Sequence, residues 1–405
     1  MPKFVTFVYK KYKTMLDIHD FTRFEEVETP FYFYDTDLFG RTVDELAALS
    51  GKYRIKVHYA VKANAEERLL RLLSARGFGA DCVSANEAVL AAEHGFAPGS
   101  IMLAGVGKTD KEIRTSLELG IGCFNIESIP EMEVIDEIAG AMGLKAPVAL
   151  RINPNIDPHT HKYITTGLEE NKFGISRFEF DAALDKLNGC RNLDFKGLLF
   201  HIGSQITDVE NVFGLESRCA RELVSWFEEK GLKVKHIDLG GGLGVDYDDP
   251  DGHPVADFET WMKAVRSCFP MEEGYELHIE PGRSVVAQCG TLVTRVVYVK
   301  KGRTKNFVIT DAGMNDLIRP ALYGAYHKVE NLTASYKRGD NTKDCVYDVV
   351  GPVCESSDVW GEGRILRQTR RGDLLAIRSA GAYGRTMASC YNQRDLAPAV
   401  YSDEI

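Results

Sequence analysis

Eight short apolar segments constrain this chain more than any other feature. They run over 56–60, 80–83, 101–104, 123–126, 148–152, 197–201, 236–239 and 276–279. A polar cluster ends each one, and amphipathic stretches lie between them. The segment Glu66 to Leu73 is apolar on one face at helical spacing, and Ser217 to Lys230 also reads as helix. Strands alternating with helices pair in parallel. Eight such units over about 230 residues predict a (β/α)8 barrel, with its active site at the C-terminal ends of the strands. An open doubly wound sheet is the alternative, and it would place a glycine-rich turn after its first strand. Here Gly240-Gly241-Gly242-Leu243-Gly244-Val245 comes late and lacks the last glycine of Gly-x-Gly-x-x-Gly.

The rhythm changes after Arg283. Segments 292–300, 306–310, 345–350 and 374–378 read as strands with glycine-rich turns and little helix, which predicts a second, all-β domain. Pro30-Phe31-Tyr32-Phe33-Tyr34 is also strand-like and is expected to pair with it. The expected division is a barrel over 36–283 and a β-sandwich or β-barrel built from 1–35 and 284–405. A chain of 405 residues suits two domains.

Composition narrows the function classes. The 59 acidic residues outnumber the 49 basic ones, so the phosphate backbone of a nucleic acid would be repelled. Nine cysteines, none in a Cys-x-x-Cys pair, argue against a zinc ribbon and a secreted disulfide framework. A reducing, cytoplasmic setting is expected. Lys3, Lys10, Lys11 and Lys13 interrupt the first residues, so no signal peptide is read there. No apolar run is long enough to predict a membrane span.

Five strand ends collect unusual residues. The first gives Ala60-Val61-Lys62-Ala63-Asn64 and the fifth Arg151-Ile152-Asn153-Pro154. The sixth gives His201-Ile202-Gly203-Ser204-Gln205, the seventh the glycine cluster, and the eighth Glu280-Pro281-Gly282-Arg283. A lysine in an apolar strand must be paired, neutral or covalently modified. A desolvated amine is a nucleophile towards aldehydes. The glycine cluster is either a tight βα turn or a place where backbone N–H groups approach a phosphate. Its position after strand seven is where barrels bind phosphate. Glu280 either pairs with Arg283 or holds a heterocycle nitrogen protonated, and Arg283 suits an anion. His201 is either a satisfied core histidine or a plate against a planar ring. An amine, a phosphate cradle, a carboxylate and a stacking ring together describe one cofactor, pyridoxal phosphate.

These segments, with His58-Tyr59 preceding Ala60, resemble those of the barrel-type pyridoxal-phosphate decarboxylases, from about Thr29 to Ala397. The group includes ornithine, arginine and diaminopimelate decarboxylases. Two segments favour the diaminopimelate branch: Asp311-Ala312-Gly313-Met314-Asn315-Asp316-Leu317-Ile318-Arg319-Pro320-Ala321-Leu322-Tyr323, and Asn153-Pro154 through His159-Thr160-His161 to Lys172-Phe173-Gly174-Ile175. In that family the His-x-His pair is a loop motif, and no metal is expected.

The resemblance implies a carboxy-lyase converting meso-2,6-diaminopimelate to L-lysine, the last step of lysine biosynthesis. It implies that Lys62 carries the cofactor and His201 stacks on its ring. Ser204, Gly241, Gly242, Gly282, Arg283 and Tyr383 would surround its phosphate, and Glu280 would bind its pyridine nitrogen. Arg283, Arg319 and Tyr323 would hold the carboxylate of the far, L-configured centre. Cys354 would donate the proton, and Glu355 would contact the distal amino group. Both would act from the partner subunit of a homodimer. A decarboxylase of ornithine, arginine or carboxynorspermidine is the alternative, and a catalytically silent cofactor-binding protein a further one. About 20 residues precede the family's usual start, and 97–107 match it loosely.

Overall fold

The eight apolar segments form parallel strands that close on themselves. Counting from β1 (Phe31–Tyr34), which lies outside the ring, the barrel strands are β2 (Ile55–Ala60), β3 (Gly79–Cys82), β4 (Ile101–Leu103), β5 (Cys123–Ile126), β6 (Ala146–Arg151), β7 (Leu193–Leu199), β8 (His236–Asp238) and β9 (Glu276–Ile279). Each pairs with the next, and β9 pairs with β2 through Ile55↔Leu277 and Val57↔Ile279. The structure, a computed structural model, describes residues 18–156, 172–338 and 342–405, so His159 and His161 lie outside the described residues. The described chain divides into two units. Val43–Gly244 and Asp257–Gly282 form the barrel unit, and the residues up to Thr42, Val245–Ala256 and Arg283–Ile405 form the other.

Local sequence starts several barrel helices immediately after their strands. Ser84, two residues beyond β3, accepts from Glu87 N and caps the helix Ala85–Glu93. Ser128 does the same two residues beyond β5, with Pro130 in the first turn of the helix Ile129–Ala141. Thr109 and Glu112 form a reciprocal capping box for Asp110–Leu119. Such caps stabilise a helix by about 1 kcal/mol each. They also keep the strand-to-helix turns short at the end of the barrel where the candidate residues cluster.

β7 begins at Leu193, four residues earlier than the apolar pattern indicates. Asp194 and Lys196 pair with each other at the exposed start of the strand, so that end carries no apolar signal. One layer of the barrel is made of histidines from three neighbouring strands. His58 Nε2 lies 2.8 Å from His278 Nδ1, and the His278 and His236 rings stack at 3.7 Å. Burial lowers all three pKa values, to about 4 for His58 and about 3 for His236, so the layer is neutral.

The second unit is built on β10 (Gly290–Lys301), which pairs with β11 (Asn306–Thr310), with β15 (Leu374–Ile377) and with β1. The rest of the sheet is β12 (Val329–Asn331), β13 (Asp344–Val350), β14 (Val359–Arg367) and β16 (Ala399–Tyr401), and its main path runs β12-β15-β10-β11-β13-β14. The strand-like segment at Phe31 therefore pairs where expected. Phe31 and Phe33 pack with Phe21, Phe24, Val293 and Leu374, and the Phe24 and Phe33 rings meet edge to face at 4.7 Å. The chain thus forms the (β/α)8 barrel and the separate β domain that its patterning indicates.

Candidate active site

β2 leads directly into a short 3-10 turn, Val61–Ala63, which carries Lys62 at the barrel end. Its Nζ lies 3.2 Å from Oδ2 of Asp81, the third residue of β3. Asp81 is buried while the Lys62 side chain is 38% exposed, so the amine is anchored and still reachable. The exit of β9 closes tightly on this turn. A Cβ on Gly282 would lie 3.0 Å from Ala60 Cβ and 3.1 Å from Ala63 Cβ. Lys108, in the loop that follows β4, is differently placed. It is 3% exposed and ion-paired to Glu131 at 2.6 Å, and it also donates to two carbonyls.

Glu280 follows β9 and is buried, with Oε1 accepting no hydrogen bond among the described residues. Burial holds its pKa well above the usual carboxylate value, and the negative charges of Asp238 and Asp81 add to that effect. Asp238, at the end of β8, is itself raised to about 7, by burial first and then by Asp81. Its Oδ1 accepts from Gly240 N at 2.8 Å, and its Oδ2 accepts no hydrogen bond among the described residues. A buried protonated acid with an unmet oxygen is what a cationic ring nitrogen would satisfy.

The glycine turn packs against backbone from every side. A Cβ on Gly241 would collide with the Glu280 carbonyl, and one on Gly242, at φ +115°, would lie 2.6 Å from Gly203 O. Ile206 N donates to Gly242 O and Gly244 N to Ile206 O, both at 2.9 Å, which laces the Ser204-Gln205-Ile206 segment to the turn. Gly241 N donates to Nδ1 of His201 at 3.1 Å. Nδ1 is therefore the ring's acceptor, and the imidazole is neutral. Burial lowers its pKa well below the ordinary value, with Arg151 and Lys62 contributing. What Gly241 contributes is thus the close backbone approach of the turn to the Glu280 carbonyl, since its N–H is already engaged.

Glu127 ties the tops of three strands together. It accepts from Arg151 Nη1 at 2.7 Å, from Gly105 N at 3.1 Å and from Gly174 N at 2.9 Å. Asp81, Asp238 and Glu127 carry no sequence signal beyond a lone acid in or beside an apolar segment, and sequence reasoning missed all three.

The β unit gathers a second set. Arg283 Nη1 donates to the Tyr247 hydroxyl at 2.7 Å, and its Cζ lies 4.9 Å from the centre of the Tyr383 ring. Tyr383 sits at φ +55°, a left-handed conformation uncommon outside glycine. Arg319 opens the short helix Arg319–Tyr323, so Tyr323 is one turn further along it. Arg319 is buried, and no carboxylate among the described residues pairs with it. Its Cζ stacks 4.8 Å from the Tyr247 ring centre. Tyr247, in a segment read from sequence as barrel, groups with the β unit, where it meets both arginines.

Cys354 and Glu355 occupy an exposed turn of the same unit. Cys354 N donates to Asn392 Oδ1 at 3.0 Å, and the Tyr391 hydroxyl donates to Glu355 Oε1 at 2.6 Å. Asp358 holds the turn from below by accepting from Val353 N and Met314 N, each at 2.7 Å.

Pyridoxal phosphate fits the barrel residues on these grounds: a reachable amine, a buried acid with an oxygen that no hydrogen bond reaches among the described residues, a neutral imidazole and a turn that tolerates no side chains. Among the described residues no three or more His, Cys, Asp or Glu are grouped to hold a metal, and no helix is long and apolar enough to cross a membrane.

Comparison with known proteins agrees with this chemistry. Residues 39–287 match the family described as pyridoxal-dependent decarboxylase, pyridoxal binding domain. A diaminopimelate decarboxylase of Bacteroides thetaiotaomicron is 48% identical over 392 residues, which is 96% of this chain and 100% of that protein. One of Zymomonas mobilis is 43% identical over 87% of this chain and 81% of its own. The diaminopimelate decarboxylase of Helicobacter pylori, solved with L-lysine, superposes with a TM-score of 0.86 at 37% identity, covering 94% of this chain and 93% of that one. An arginine decarboxylase of Paramecium bursaria Chlorella virus shares the fold at 21% identity and a TM-score of 0.83, covering 95% of this chain and 98% of its own.

Proposed function

The chain belongs to the diaminopimelate decarboxylases, within the pyridoxal-dependent decarboxylase family, and we propose that it converts meso-2,6-diaminopimelate to L-lysine and CO2 with pyridoxal phosphate held on Lys62. Once bound, the cofactor supplies a sink for the electron pair left behind when CO2 departs. The chain's own residues do the rest. Lys62 offers its amine as the point of attachment, with Asp81 orienting it from 3.2 Å. Glu280, ionising against a ring nitrogen, keeps a proton there. The close-packed backbone at Gly241, Gly242 and Gly282 borders the phosphate, with Ser204, Arg283 and Tyr383 as its polar contacts. His201, neutral and fixed through Nδ1, presents its ring as a plate.

Specificity comes from reading a second amino-acid head. Arg319, with Arg283 and Tyr323, holds the carboxylate of the L-configured centre, which the reaction leaves in place. A diamine precursor without that carboxylate would waste a buried cation. Cys354 delivers the proton to the reacting carbon and Glu355 meets the distal ammonium, both from the partner subunit of a homodimer. Their exposed turn supports that assignment, because a donor used within its own chain would be desolvated there.

The observation that carries the substrate reading is Arg319, buried without a carboxylate partner among the described residues. A panel of meso-diaminopimelate, ornithine, arginine and carboxynorspermidine tests it. Turnover is expected on the first alone, and Arg319→Ala should lower kcat/KM for it by at least about tenfold. Equal turnover of ornithine, or an unchanged kcat/KM, would refute the reading.

A further inference from the structure

Arg319 Nη1 donates to Nε2 of His327 at 2.8 Å. His327 is fully buried, and its Nδ1 lies 2.8 Å from the Arg378 carbonyl. A carbonyl only accepts, so Nδ1 carries the ring proton and Nε2 is a lone-pair acceptor. The imidazole is therefore uncharged. Burial first, and the adjacent Arg319 charge second, push its pKa down to about 3, in keeping with that tautomer. Tyr247 acts in parallel: its hydroxyl takes the N–H of Arg283, its ring faces Arg319, and its edge meets His327 at 5.1 Å.

The neighbouring arginine shows the contrast. Arg378 is as deeply buried, yet two carboxylates neutralise it, Asp251 at 2.6 Å and Glu330 at 2.5 Å. The fold supplies acids to an arginine whose role is structural. To Arg319 it supplies an imidazole and a phenol ring.

We propose that His327 and Tyr247 are positioning residues that determine specificity: both engage the buried Arg319 without bringing a negative charge, so Arg319 is held in one orientation while its charge stays available to an amino-acid carboxylate. The inference rests on the assignment of Arg319 to the carboxylate that the reaction retains. An acid at position 327 would satisfy the same N–H but would cancel the charge that the ligand needs.

The test uses the holoenzyme and two ligands, L-lysine, which keeps the carboxylate, and 1,5-diaminopentane, which lacks it. Binding is measured by calorimetry, alongside KM and kcat for meso-diaminopimelate. His327→Gln, whose amide oxygen accepts the N–H without charge, should stay within about threefold of the parent in L-lysine affinity and KM. His327→Glu and His327→Leu should each weaken L-lysine binding and raise KM by about tenfold or more, with kcat within about twofold and 1,5-diaminopentane binding unchanged. If the leucine variant does not fold, the glutamine–glutamate pair decides alone. Equal L-lysine affinity in those two variants, or parallel losses for both ligands, would overturn the proposal. Arg319→Met separates the two levels. If it weakens L-lysine binding while the His327 variants do not, only the role of His327 fails. If it leaves L-lysine binding unchanged, the assignment of Arg319 fails and the proposal falls with it.

Discussion

Asp238 disfavours the ionisation of Glu280 at the ends of adjacent barrel strands, and each keeps one oxygen that no hydrogen bond reaches among the described residues. Burial is the larger cause of the raised Glu280 pKa, and the charge of Asp238 adds to it. The cofactor-free protein therefore carries acids that hold their protons more tightly folded than unfolded.

The sign of the resulting pH dependence follows. For Asp238 the folded pKa, about 7, lies above the ordinary 3.8, so the folded state binds the extra proton between those values. Stability from this group is present at low pH and lost as pH rises through that window. Asp238→Asn keeps the oxygen that accepts from Gly240 N and removes the titration. In cofactor-free protein, the Tm of the variant relative to the parent should rise by about 2–4 °C between pH 5 and pH 8. A Tm difference that does not change with pH would contradict the account.

Glu280→Gln removes the charge that would hold a ring nitrogen protonated, yet it leaves Lys62 intact. Turnover should fall on the order of 100-fold, the scale seen when one preorganised electrostatic contact is lost. The absorbance of lysine-bound cofactor should persist. Loss of that absorbance together with turnover would mean that Glu280 serves binding alone, and undiminished turnover would remove it from the site.

Much of this arrangement was readable in the sequence, for physical reasons. The barrel announced itself because parallel strands buried on both faces are continuous apolar runs. Lys62 and Glu280 stood out because ionisable groups at the ends of such runs are costly unless used. The misses have equally specific causes. β14 (Val359–Arg367) contains Gly361, Glu362, Gly363 and Arg364 and exposes much of its length, so its period-two signal is broken. Asp81 and Asp238 are each one acid inside a run of four or three residues, and nothing local tells which neighbour they face. Tyr247 and His327 lie far apart in sequence, and only tertiary packing brings them to the same arginine. His201 stayed open between two readings because its tautomer depends on the N–H of Gly241, a contact between different strand ends.

The exposed turn bearing Cys354 and Glu355 leads to a prediction about assembly. Lys62→Ala and Cys354→Ala should each be inactive. If sites are shared across a two-fold dimer, mixing the two and allowing subunit exchange restores activity, because one site of each mixed dimer then carries neither defect. No recovery despite demonstrated exchange would return Cys354 to its own subunit's site.

The attachment of the cofactor to Lys62 can be read directly. Borohydride reduction of the holoenzyme, followed by proteolysis and mass mapping of the labelled peptide, should place the reduced cofactor on Lys62, whose side chain is reachable beside Asp81. Lys108, buried against Glu131, should remain unlabelled. A label on Lys108, or a holoenzyme that takes no label at all, would contradict the account at its centre.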